Sequence, residues 1–201
     1  MECLYLNGLC GDIDPYKPTP DRLCEFARIV KDSFTCSLSP LPLTLGGGSE
    51  FYTLKLIPVL REDIHKAADQ AVLAAGGEGM PAARVARIWE SEMLEKFDSL
   101  KEEEEVTVKY LFIGGVPVIA LPFEGFTQIG MDIRRIINRP DALVLGCAEE
   151  LLGYLPTKDD IRRGTYAALE STFLYKRLPV VPGEAERLGE AMGHALERIL
   201  A

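Results

Sequence analysis

Val106 to Tyr166 reads VTVKYLFIGGVPVIALPFEGFTQIGMDIRRIINRPDALVLGCAEELLGYLPTKDDIRRGTY. Val106, Val108, Tyr110 and Phe112 alternate with Thr107, Lys109, Leu111 and Ile113, the period of a strand. Gly114-Gly115 follows, and a two-residue hairpin turn demands the positive φ that glycine adopts freely. Val116 to Leu121 returns as the partner strand. Phe126, Ile129, Ile133 and Ile136 or Ile137 then recur at helical spacing, and Pro140 stops the run. Ala142 to Cys147 reads as a third, buried strand. Thr157 with Asp160 three residues on has the form of a capping box that opens a short helix.

Upstream, Cys3 to Leu9 is a short apolar run ended by a turn-rich GDIDP, the pattern of a buried strand. Pro18 and Pro20 mark a helix start, with Leu23, Phe26, Ala27 and Val30 on its apolar face. Gly46-Gly47-Gly48-Ser49 has no lysine in phosphate-loop register and reads as a flexible break. Phe51 to Leu60 is a strand candidate, weakened as a central strand by Pro58. Two helices follow. Ile64, Ala68, Ala71, Val72 and Ala75 face inward on the first, which Gly76-Gly77 ends. The second starts near Pro81 with a stripe of Val85, Trp89, Met93, Phe97 and Leu100. This pair is expected to form a hairpin packed on a sheet. Glu102 to Glu105 reads as a solvated connection. A last helix spans Gly183 to Leu200, with Leu188, Ala191 or Met192, Ala195 and Ile199 inward.

These elements predict an α/β fold of mixed α+β sandwich type. It would have one or two mixed sheets, an antiparallel hairpin and helices packed outside, in a single domain over residues 1–201. The 201 residues carry a net charge of -9 with 47% hydrophobic residues. That charge lacks the basic face that nucleic acids and anionic lipid surfaces require. No apolar run reaches the ~20 residues that span a bilayer. The amino-terminus carries Glu2 and no basic region of a signal peptide, which points to a cytoplasmic chain. Cys3, Cys10, Cys24, Cys36 and Cys147 form an odd set without a C-x-x-C pair, the usage of reduced, packing cysteines.

His65 and His194 are the two histidines of the chain. Each sits beside the apolar stripe of its helix without a ligand-spaced partner, and both read as structural or surface residues. Glu124 and Tyr154 lie just past apolar runs, where functional groups collect on a rigid scaffold. Glu124 has two readings. A carboxylate before a helix start is favoured by the helix dipole, and a carboxylate at a strand end can ligate a metal or act as a base. Tyr154 either bonds a backbone carbonyl or, beside a cation, ligates as phenolate.

Leu121-Pro122-Phe123-Glu124-Gly125-Phe126, with Gly130 and Ile133 after it, resembles the P-G-E-x-F...G segment of the neutral (alkaline, non-lysosomal) ceramidases. Gly153-Tyr154-Leu155-Pro156-Thr157 resembles that family's G-Y-x-P-T or H-Y-x-T-T segment, and Gly164-Thr165-Tyr166-Ala167 with Ser171 its R-Y-E...S segment. Asn7 to Pro15, NGLCGDIDP, is similar to its N-G-A-A-G-D-I-N-P loop. The resemblance covers the later part of the family's catalytic domain. It implies a zinc amidase fold that hydrolyses an N-acyl amide at a metal held by two histidines, a glutamate and a tyrosine. Glu124 and Tyr154 would be metal ligands, and Tyr166 would hold the scissile carbonyl. The family's histidines precede the loop that opens this chain, and neither His65 nor His194 takes their place. Phe123 departs from the motif's glycine, and Ala167 from its glutamate. The expectation is therefore a partial or split zinc amidohydrolase, inactive alone. An amino-terminal-half chain would complete it, or self-association would cover the same face. The alternative is a degenerate, non-enzymatic module that binds a partner chain or small molecule.

Overall fold

The hairpin at Gly114-Gly115 anchors a mixed sheet in the computed structural model, which describes residues 6–13, 24, 25, 27–29 and 44–200. Strand β1 covers Leu45–Lys55, β2 Glu103–Ile113, β3 Val116–Ala120 and β5 Leu143–Leu145. They lie side by side in the order β1-β2-β3-β5. The first two pairings are antiparallel and β3–β5 is parallel. Gly114 and Gly115 have φ of 59° and 82°, so the backbone reverses within two residues and Ile113 pairs with Val116. Two short strands, β4 (Glu124–Gly125) and β6 (Tyr154–Leu155), form a separate parallel pair. The fold is α/β with a mixed sheet, as the sequence predicts.

Helix α3 (Thr127–Ile136) and helix α6 (Glu184–Leu200) pack on each other and cover one sheet face. Ile129 and Ile133 of α3 and Leu188, Met192 and Leu196 of α6 meet Val106, Val108, Ile119 and Val144 there. Each such large side chain contributes about 1.5–3 kcal/mol by leaving water. Gly189 and Gly193 bring α6 against Ile129 and Ile136. Ile199, expected inward, is half exposed: it lines an open cavity with Leu45, Gly46 and Phe112 at the edge of the sheet and is not packed in the core. After α3, Asn138 takes a left-handed φ of 51°, and the helix has stopped before Pro140 is reached.

Helices α1 (Arg61–Ala74) and α2 (Pro81–Lys96) form the expected hairpin, closed by the turn at Gly76-Gly77. It does not pack on the sheet as its principal partner. A second core joins it to α5 (Glu170–Leu174) through Phe173, which stacks on Trp89 with ring centroids 5.5 Å apart. Val85 points outward, and Ala83 and Ala86 take the buried positions beside Trp89 and Met93. Close helix approach needs small residues, so the large-residue stripe misplaced the inner face by a fraction of a turn. Val59 and Leu100 touch both cores.

Three other expectations are corrected. The glycine tract is strand: Gly46 to Gly48 belong to β1 and pair with Tyr110 to Phe112. A Cβ on Gly47 would lie 2.5 Å from the Tyr110 carbonyl oxygen, so the close approach of β2 selects glycine. The acidic run is not a free connection, since Glu103 to Glu105 begin β2 and Glu104 pairs with the buried Arg177. Of the expected opening strand, the described residues 6–9 form one antiparallel bridge, Gly8 with Leu145, beside buried Leu9. Residues 3–5 lie outside the described residues, as do Leu23, Phe26 and Val30, while 24, 25 and 27–29 are helical. Among the described residues no helix is long and apolar enough to cross a membrane.

Candidate functional site

Glu124 is positioned by a weave of backbone bonds around β4. Its N–H donates to the Gly153 carbonyl at 2.9 Å, and Leu152 N–H donates to Pro122 at 2.8 Å. Cys147 N–H donates to the Phe123 carbonyl at 2.9 Å, and Gly11 N–H donates to the Gly125 carbonyl at 3.0 Å. The residues on either side of Glu124 are thus each held by a different remote segment. In the parallel β4–β6 pair Glu124 stands opposite Tyr154, which sets both side chains on one face of a two-strand ribbon.

Both ends of this ribbon are tied down. Asp12 accepts two hydrogen bonds from Thr127, 2.8 Å from the backbone N and 2.7 Å from Oγ1. It thereby caps α3, whose own N-cap residue is Phe126 and has no side-chain acceptor. On the other side, Thr157 Oγ1 accepts from Asp160 N at 3.4 Å and opens α4 (Lys158–Arg163). The Asp160 carboxylate does not close a reciprocal box but accepts from Thr165. Arg177 reaches the carbonyls of Leu152 and Tyr154 at 3.2 and 3.4 Å and pairs with Glu104. Burial holds the Arg177 guanidinium below its ordinary range and the Glu104 carboxyl above its own, so desolvation outweighs their attraction.

Tyr175, which no sequence pattern singled out, joins Glu124 directly. Its hydroxyl donates to Glu124 Oε1 at 2.7 Å. The ring lies over Gly153, where a Cβ would sit 2.8 Å from Tyr175 Cδ2. Glycine at 153, with φ of 106°, therefore opens the path by which Tyr175 reaches the carboxylate. Tyr154 also interacts with Glu124 through its hydroxyl. Its ring meets Tyr166 edge-on at 5.9 Å and Tyr175 at 6.4 Å. Tyr166 is half exposed at the rim.

The structure therefore brings Glu124, Tyr154 and Tyr166 together. They line one open cavity of about 580 Å³ with Cys10, Asp12 and Arg163. A larger cavity of about 670 Å³ lies elsewhere, against Lys96, Lys101, Glu103 and Arg177, and none of the three faces it. His65 is bonded to Glu90 at 2.7 Å and His194 to Glu197 at 3.1 Å, both at exposed positions on other helices.

The electrostatics favour protonated phenols. Burial first, then the hydrogen bond to Glu124 and its negative charge, push both Tyr154 and Tyr175 well above the ordinary tyrosine range. Burial, with Glu124 next, raises Tyr166 as well. Cys147 is pushed up to about 11 by burial, by the neighbouring Cys10 thiol and by Glu124. Without a cation this cluster is one carboxylate solvated by phenol hydroxyls.

A zinc ion would find a carboxylate and a phenol here. Among the described residues no three His, Cys, Asp or Glu side chains group so as to hold a metal ion. The donors at this site fit two corners of a tetrahedral zinc centre, and a tight site needs more.

No family model matches the chain, and no curated protein matches it. Among solved structures it is similar to a neutral ceramidase from Pseudomonas aeruginosa at 17% identity and a TM-score of 0.35. That match covers 47% of this chain and 16% of the ceramidase. It is also similar to a ceramidase complexed with C2, at 17% identity and a TM-score of 0.37, over 47% of this chain and 15% of that one. The chain thus spans less than a fifth of the length of either ceramidase.

Proposed function

We propose that this chain carries the glutamate-and-tyrosine half of a zinc amidohydrolase site of the neutral-ceramidase kind, completed by two histidines from another segment or chain. One observation carries the reading. Glu124, Tyr154 and Tyr166, selected by three separate motifs, converge on one open cavity. Glu124 and Tyr154 would hold the metal, and Tyr166 at the rim would orient the carbonyl of an N-acyl amide. When bound, the zinc would supply water of lowered pKa and polarise that carbonyl. Tyr175 would hold Glu124 in place by donating to Oε1, leaving its other oxygen for the metal.

The outer face of the sheet offers a docking surface for the completing polypeptide. Leu45, Phe51, Leu111 and Ile113 point to the same side of β1 and β2, and all four are exposed, Leu45 and Phe51 at 79%. Apolar residues so aligned on a sheet face that no described element covers would serve as that interaction surface.

The purified chain is expected to hold less than one zinc per chain and to leave an N-acylsphingosine uncleaved. Co-expression with the polypeptide encoded immediately upstream is expected to restore both zinc and hydrolysis. Glu124→Gln should then abolish both. Zinc bound undiminished by the Glu124→Gln assembly overturns the reading, and robust hydrolysis by the chain alone overturns its need for a partner.

A second reading is a non-enzymatic module that keeps the fold and binds a partner or small molecule. It is favoured by the Tyr175 bond to Glu124, which leaves the carboxylate satisfied without a metal. Under it, upstream co-expression yields a complex without zinc.

A further inference from the structure

Cys10 and Cys147 lie on segments 137 positions apart in the chain, both beside the strand that carries Glu124, and neither is taken up by the zinc reading. Their backbones are fixed by the site's own weave. Gly11, next to Cys10, donates to the Gly125 carbonyl, and Cys147 donates to the Phe123 carbonyl. Gly146 N–H donates to Asn7 O at 3.2 Å, and Gly8 bridges Leu145. These bonds hold the loop of residues 6–13 against the end of β5. Leu9 and Gly146, which precede Cys10 and Cys147, are in backbone contact, since a Cβ on Gly146 would lie 3.5 Å from Leu9 Cα, and the two thiols are neighbours there. Both are free, Cys147 is exposed and Cys10 half-buried, and Asn7 Nδ2 lies 3.6 Å from Cys10 Sγ. Cys147 holds a left-handed φ of 51°, a conformation rare outside glycine.

We propose that Cys10 and Cys147 form a dithiol site that small-molecule disulfides oxidise to an intramolecular disulfide. The site does not rest on the zinc reading. Cys147, the exposed partner, attacks one sulfur of the small disulfide; that S–S bond breaks and one small thiol leaves. Cys10 attacks the resulting mixed disulfide at the Cys147 sulfur, the new S–S bond forms, and the second small thiol leaves. The protein dithiol gives up two electrons, the small disulfide gains them, and the two thiol protons end on the released thiols. The product would staple the 6–13 loop to the segment after β5. The thiolate is the attacking species in each step, so the exchange quickens in mild alkali.

The test uses the full chain with Cys3→Ser, Cys24→Ser and Cys36→Ser, so that only Cys10 and Cys147 remain. It is incubated with oxidised glutathione at mildly alkaline pH, digested under acid and mapped by mass spectrometry. The expected result is a crosslinked peptide joining Cys10 to Cys147, loss of both titratable thiols, and a Tm raised by about 5 °C or more. Free thiols, separate glutathione adducts at the two positions, or a Tm unchanged or lowered, on protein that keeps its helical circular dichroism, overturn the proposal. The unsubstituted chain, treated and mapped the same way, guards against a folding defect of the variant. There the Cys10–Cys147 peptide must again dominate, and a dominant pairing of either residue with Cys3, Cys24 or Cys36 overturns it.

Discussion

A single carboxylate organises the chemistry at the residue scale. Glu124 gathers two phenol hydroxyls and sits beside the Cys147 thiol, and each of these groups keeps its proton more tightly because the carboxylate is there. Tyr175→Phe removes the 2.7 Å bond to Glu124 Oε1. A hydrogen bond to a charged group is worth about 1.5–3 kcal/mol, and partial exposure places this loss near the lower end. Urea denaturation of the variant measures it. The raised phenols also set a pH window. Their folded pKa values exceed the unfolded value of about 10, so the stability they add is complete below that pH and is lost as pH rises through the folded values. Absorbance titration should therefore show at least two of the seven tyrosines resisting ionisation until the chain unfolds.

At the element scale, strand β1 shows how backbone approach overrides local propensity. Three consecutive glycines disfavour a strand by entropy. They pair with β2 all the same, and at Gly47 and Gly48 the atoms of β2 lie too close for a Cβ. Gly47 and Gly48 differ. A Cβ on Gly47 meets the backbone oxygen of Tyr110, whereas a Cβ on Gly48 meets the Tyr110 ring and hydroxyl, which can swing aside. Gly47→Ala is expected to cost about 2 kcal/mol and Gly48→Ala less than about 1 kcal/mol, by the usual penalty of overpacking. Equal losses in urea denaturation would refute the close-approach account.

On the scale of the whole molecule, the chain has two cores joined by few residues. Phe173 is fully buried and ties the α1–α2 hairpin to the rest through Trp89. Phe173→Ala should cost about 3–5 kcal/mol. The loss should fall mainly on the hairpin. Trp89 is the one tryptophan of the chain, so its fluorescence reports that core alone. In the variant it should shift at lower denaturant than the far-UV signal of the whole chain. Coincident transitions would show that the two cores unfold as one unit.

What the sequence by itself determined is what depends on neighbours along the chain. The reversal at Gly114-Gly115, the cap at Thr157, the hairpin turn at Gly76-Gly77 and the strand and helix periods are all set within a few residues. The motifs at Glu124, Tyr154 and Tyr166 were legible for the same reason, since each is a short run at a strand end or turn. The tertiary structure alone decided the rest. Tyr175 reaches Glu124 across 51 positions, Arg177 reaches Glu104 across 73, and the Cys10 and Cys147 segments meet across 137. No local pattern encodes such pairs, because they form only where packing of the strands and helices fixes both ends. Val85 was misplaced on α2 for a related reason: which stripe of a helix turns inward is set by how closely its partner approaches. The chain thus states its strands, turns and motif residues openly. Its folded contacts decide that Glu124 lies among phenols and thiols, with no histidine beside it among the described residues.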